Sequence, residues 1–247
     1  MFPEYMAIDL TFGTNVQRRP LFLAAGIDGC NKSFTMFRAF TPSKSFSAMH
    51  WIIHRSMPQL MGSDTLRNVS IVSSDQEDSL VGNVTSAITE NVLPFAKHRI
   101  DYFHMFVLPW KKIVRDDSVV FSVIFNWIRT WFYSVERKAE FLLSLNLLRD
   151  YMDKAVKPGN SNPATLDESS HMSILQLVDK IVSSIDSCAN YSFMSYSTYG
   201  FVGSSFLEGI NAQLKHGPIS IDSRMNIDRS GYVQLQQVEE RGQRNMT

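Results

Sequence analysis

Polar and apolar residues alternate at the start of the chain. Met6, Ile8, Leu10 and Phe12 fall on one side and Ala7, Asp9 and Thr11 on the other, a period of two that predicts a strand over Met6–Phe12. Pro20–Ile27 is a short apolar run that ends at the turn-forming pair Asp28-Gly29, and Ser33–Phe40 is a second run rich in phenylalanine. The intervening Asp28–Lys32 has hairpin character. From Ser45 to Met61 the period lengthens. Phe46, Met49, Ile52 and Ile53 recur at helical spacing, with Pro58 interrupting near the end. Asn68–Ser74 reads as a compact strand and Asp78–Leu93 as an amphipathic helix with Leu80, Val84, Ala87 and Ile88 on one side. Arg99–Val107 is a further strand candidate whose end can run into a helix.

Three strands, helix, strand, helix, strand is the order of a mixed α/β sheet with helices on its faces. From about Val119 to Val156 the spacing is strongly helical, through Phe121, Ile124, Phe125, Ile128, Trp131 and Phe132 and then Phe141, Leu142, Leu145 and Leu148. Lys157–Ser170 reads as a loop, Met172–Ile185 as a helix and Phe206–Lys215 as another, with Ser204 and Ser205 as possible caps. The stretch from Pro218 onward contains one aromatic, Tyr232, and reads as a polar, loosely ordered tail.

Composition narrows the picture only a little. The chain has 247 residues, 44% of them hydrophobic, which suits one large domain or a domain with a big insertion. Lys plus Arg and Asp plus Glu both number 24, so the chain lacks the basic excess of a dedicated nucleic-acid binder, although local basic patches remain compatible with a nuclease. Cys30 and Cys188 are too few and too far apart for a zinc finger or a disulfide framework, which favours a reducing compartment, nucleus or cytoplasm. Met1–Phe12 lacks a basic segment followed by an apolar run, so a secreted protein is not expected. No apolar stretch approaches the ~18 residues of a membrane span, so no membrane partner is expected either.

Three carboxylates stand out. Asp9 interrupts an apolar strand, where aspartate is disfavoured and a buried charge is costly unless a cation or hydrogen bonds compensate it; an edge strand with Asp9 facing solvent is the plain alternative. Asp75 directly follows a strand, a position that suits a ligand site and equally a turn or helix cap. Glu208 lies beside the apolar stripe Leu207, Ile210 and Leu214 and shares a different helix face with Asn211 and Lys215; a solvated polar face has the same pattern.

Together with the order of elements, these segments resemble the catalytic domain of Mutator-like element (MULE) transposases. Asp9-Leu10-Thr11-Phe12 is similar to that family's first strand, where an Asp-x-Thr pattern carries the first catalytic carboxylate. Pro20–Asp28 and Phe37–Ser45 resemble its second and third strands, and Ile71-Val72-Ser73-Ser74-Asp75 the strand that delivers the second carboxylate. His98–His104 is similar to the segment that normally carries Cys-x-x-His, with Asp101 in place of the cysteine and His104 retained, so a thiol-specific role there is lost. Ser204–Lys215 resembles the helix of the third carboxylate, in which Glu is followed by Asn and Lys at these offsets. The likeness runs from about Tyr5 to Gly217, on motifs that are short individually and persuasive in their order and spacing.

The resemblance implies an RNase H-like domain over residues 1–217, with an all-α insertion at about 106–203 before the last catalytic helix and residues 218–247 as the tail. It implies a DDE-type DNA transposase in which Asp9, Asp75 and Glu208 hold two Mg²⁺ or Mn²⁺ ions for phosphodiester cleavage and strand transfer at transposon ends. Lys215, Asn211 and Arg99 are then candidate DNA contacts, DNA is the partner, and a homo-oligomer is expected because two ends must be joined. The family's N-terminal DNA-binding module has no counterpart in this sequence. That leaves a second expectation open, a truncated or non-cutting transposase-derived protein that binds DNA or regulates.

Overall fold

The computed structural model describes residues 4–12, 14–27, 32–114, 119–156, 166–196, Leu207 and Ile210. The chain divides into two compact units, Met1–His98 with Ser204–Thr247, and Arg99–Gly203.

A five-stranded sheet of order β3-β2-β1-β4-β5 organises the first unit, with β1 Tyr5–Thr11, β2 Leu21–Ile27, β3 Ser33–Phe40, β4 Ile71–Ser74 and β5 Lys97–Ile100, whose last two residues belong to the second unit. β1 pairs antiparallel with β2 and β2 antiparallel with β3, as the hairpin signals require; β1 pairs parallel with β4. The sheet is therefore mixed. A parallel neighbour needs a crossover, supplied between β3 and β4 by α1 (Phe46–Trp51), a π turn (Ile52–Ser56), α2 (Met57–Met61) and α3 (Ser63–Arg67). Helix α4 (Asp78–Thr89) connects β4 to β5.

Period-two alternation sends Met6, Ile8 and Leu10 of β1 into a core with Phe22 and Ala24 of β2, Met49, Ile52 and Ile53 of the crossover, and Leu80, Val84 and Ala87 of α4. The opposite face is also covered, since Tyr5, Ala7, Leu21, Leu23, Ala25 and Ile71 are buried. That explains why β2 reads Leu-Phe-Leu-Ala-Ala-Gly-Ile with no polar position and is buried at all seven. The predicted helix over Ser45–Met61 contains the π turn, where His54 is buried, bonds Ser86 Oγ through Nε2 at 2.9 Å and lies 3.3 Å from Glu90 through Nδ1. Ser45 caps α1 by accepting the Ala48 N–H.

The second unit is helical. The strand expected over Arg99–Val107 is cut short: β5 ends at Ile100, and a π turn (Phe103–Val107) leads into α5 (Leu108–Ile113). The physical reason is Asp101, whose Oδ1 accepts the N–H groups of Phe103 at 2.6 Å and His104 at 3.3 Å, so that the chain turns into a helix there. The helical run after Val119 is two helices, α6 (Val119–Tyr133) and α7 (Lys138–Val156). Helix α8 (Glu168–Ser183) begins earlier than the expected Met172, because Asp167 accepts the Ser170 N–H at 2.6 Å and caps it. Short 3₁₀ turns follow at Ile185–Ser187 and Asn190–Phe193. Phe106, Ile124, Ile128, Trp131, Phe132, Leu148, Ile174 and Val178 are among the residues of a separate core.

Candidate functional site

β1 is the middle strand of the sheet, so Asp9 does not stand on an edge. It sits between Leu23 of β2 on one side and the end of β4 on the other. The parallel register runs Tyr5–Ile71, Met6–Val72, Ala7–Ser73 and Ile8–Ser74, and one step past its last pair are Asp9 and Asp75. Adjacent strands are about 4.8 Å apart. Two carboxylates thus stand at neighbouring positions of two parallel strands, Asp9 within β1 and Asp75 just past the C-terminal end of β4, because each follows a buried strand residue in the same register.

Asp9 is the one partly exposed position in a strand otherwise buried. Its Oδ1 accepts the Leu10 N–H at 2.7 Å, and Thr11 Oγ1 donates to Oδ2 at 3.4 Å, so the threonine of the Asp-x-Thr pattern orients the aspartate. Asp75 Oδ1 accepts the Glu77 N–H at 3.0 Å, which ties the carboxylate to the start of α4. Glu77 also pairs with Lys44, whose ammonium lies 4.5 Å from the centre of the Phe12 ring.

Donor chemistry at the pair suits a hard divalent cation. Carboxylate oxygens are hard donors of the kind that Mg²⁺ and Mn²⁺ take. Among the described residues no group of three or more His, Cys, Asp or Glu is placed to hold a metal ion. Glu208, the expected third ligand, lies outside the described residues, as do Asn211 and Lys215. Its neighbours Leu207 and Ile210 are helical and buried, as the apolar stripe requires.

The remaining predicted residues, Arg99 at the end of β5 and Asp101 and His104 after it, belong to the second unit. Asp101 is almost fully buried and works as the helix cap already described, and His104 Nδ1 lies 3.7 Å from it. Arg99, expected at a DNA backbone, is fully buried with its guanidinium 4.6 Å from the Phe193 ring. Cys188 is free and buried, and desolvation pushes its thiol up to about 12, so it is an inert core group.

His98 was not among the sequence-predicted site residues. Its Nε2 lies 2.8 Å from Ser74 Oγ, next to Asp75, and surrounding protein lowers its pKa to about 4. A contact across 24 positions between two strands leaves no local signature in the sequence.

The fold defines an α/β protein with a five-stranded mixed sheet flanked by helices, with Asp9 on its central strand and Asp75 just past the end of the parallel strand beside it. No protein-family model matches the chain, and no curated protein matches it at a significant level. No helix among the described residues is long and apolar enough to cross a membrane.

Proposed function

We propose that the chain is the catalytic core of a DNA transposase with an RNase H-like sheet, cutting and joining DNA phosphodiesters with divalent metal. The observation that carries this reading is that Asp9 on the central strand and Asp75, just past the end of its parallel neighbour, both stand one step beyond the last register pair, Ile8–Ser74. Sheet order and strand directions support it, since an RNase H-like fold has its first strand in the centre with the second carboxylate's strand beside it. The buried Leu207 and Ile210 support a helix from which Glu208 would complete the set.

Asp9, Asp75 and Glu208 would hold the metal. Mg²⁺ or Mn²⁺ bound there would activate water or a DNA 3′-OH and stabilise the leaving oxygen of an in-line displacement. The protein's part is to fix the ligands. Thr11 and the Leu10 amide hold Asp9, the Glu77 amide holds Asp75, and the mutual repulsion of the carboxylates selects for a cation. DNA is then the partner, Asn211 and Lys215 are the contacts one helical turn and more beyond Glu208, a homo-oligomer joins two ends, and the nucleus is the place of action.

The test is cleavage of an end-labelled DNA duplex in Mg²⁺ or Mn²⁺. Metal-dependent nicking is expected, with Asp9→Asn, Asp75→Asn and Glu208→Gln each at least ~100-fold slower, the scale of losing one group that acts only in the transition state. A folded chain that cuts with neither metal removes the enzyme reading, and a gel shift with the same duplex then decides whether a non-cutting DNA binder remains.

A further inference from the structure

The Ser74 hydroxyl has a single hydrogen to give. It donates that hydrogen to the backbone carbonyl of Asp75 at 2.9 Å. His98 Nε2, 2.8 Å from the same oxygen, must therefore be the donor in its own contact. That arrangement corresponds to the Nε2–H tautomer, with a chain of two hydrogen bonds from His98 through Ser74 to the Asp75 carbonyl. Ser74 is fully buried at the end of β4. The strands that carry the pair are also tied, since the Lys97 N–H donates to the Ser70 carbonyl at 2.8 Å.

We infer that His98 and Ser74 are positioning residues, acting through the Asp75 backbone to hold its carboxylate where Asp9 can share a cation with it. Asp75 is then gripped from two sides. His98 and Ser74 hold its carbonyl, and the Glu77 amide holds its Oδ1 at 3.0 Å. Glu77 is itself anchored, because its carbonyl accepts the Leu80 and Val81 N–H groups, both at 2.9 Å, at the first turn of α4. With the chain direction fixed before and after it, Asp75 keeps one orientation at a strand end that would otherwise be free to turn. Partners of this outer kind are worth roughly 10–100-fold in metal affinity elsewhere. The inference rests on the metal-site reading above and adds to it two residues that touch neither metal nor DNA.

The experiment is Mn²⁺ binding to the metal-free full chain, followed by electron paramagnetic resonance, for the unaltered protein and for Ser74→Ala, His98→Ala, His98→Gln and Asp75→Asn. Circular dichroism of each variant confirms that it is folded. Ser74→Ala and His98→Ala are expected to weaken Mn²⁺ binding about tenfold. His98→Gln, whose amide nitrogen can donate to Ser74 Oγ, restores most of it. Unchanged affinity in both alanine variants, with Asp75→Asn weakened, overturns the positioning role and leaves the metal site standing. If Asp75→Asn itself binds Mn²⁺ normally, the metal-site reading falls and this inference falls with it. ¹⁵N resonances of the metal-free protein at neutral pH give a check that no variant can confuse. The Nε2–H tautomer at His98 is expected, and the Nδ1–H tautomer or a doubly protonated ring contradicts the hydrogen-bond chain.

Discussion

His98 couples the sheet to pH. Desolvation holds its imidazole neutral down to about pH 4, whereas an unfolded histidine takes up a proton near 6.5. Between those values the unfolded state binds more protons, so stability falls as the pH drops through the window and levels off below it. The full effect is on the order of 3 kcal/mol. Urea midpoints measured from pH 7 to pH 4 should fall more steeply for the unaltered protein than for His98→Gln, and parallel curves would show that His98 is not the group responsible. Ser144 offers a second test of single groups. Its Oγ accepts the indole N–H groups of Trp127 at 2.7 Å and Trp131 at 2.8 Å. Ser144→Ala leaves both donors unsatisfied, Trp131 within the core, and is expected to cost about 2 kcal/mol of stability by chemical denaturation. A loss under ~0.5 kcal/mol would mean that water replaces the hydroxyl.

At the level of elements, short side chains decide where the helices begin. Asp101 turns the chain from β5 into helix, and Asp167 starts α8. Asp101→Ala is expected to destabilise by about 1 kcal/mol, with Asp101→Asn closer to the unaltered protein because asparagine still accepts the amide bonds. Thermal melts of the two variants measure it. If the asparagine is as damaging as the alanine, the charge and not the cap is what matters at this position. Asp101 thus has a physical role at the element scale, as the cap that starts this helix. Extending β5 to Val107 from its apolar content failed for the same reason, because one cap outweighs the strand propensity of a few aromatic residues.

For the molecule as a whole, the carboxylate set predicts linkage between metal and stability. If Asp9, Asp75 and Glu208 repel one another without a cation, Mn²⁺ raises the melting temperature of the chain, by about 2.7 kcal/mol of stability at a hundredfold excess over Kd. The shift should vanish in Asp75→Asn and in Glu208→Gln. A shift that survives Glu208→Gln would remove Glu208 from the ligand set while leaving the aspartate pair in place. Residual binding in that variant would then separate the part of the site that β1 and β4 build from the part that the late helix adds.

Local pattern alone determined the hairpin start, the helical crossover, the central apolar strand and the helical run after Val119, because each rests on periodicity or on turn residues that act within a few positions. Asp9 and Asp75 stand out locally as a carboxylate in an apolar strand and one directly after a strand, and only a resemblance to a family joined them into one proposed site. What the sequence could not decide was that β1 lies between β2 and β4, and hence that Asp9 stands away from any edge and beside Asp75. Strand order is set by which faces bury together, and that energy belongs to contacts far apart in the chain. The same holds for His98, found only because β5 contributes its imidazole to the end of β4, and for the burial of Arg99, one residue later, against Phe193.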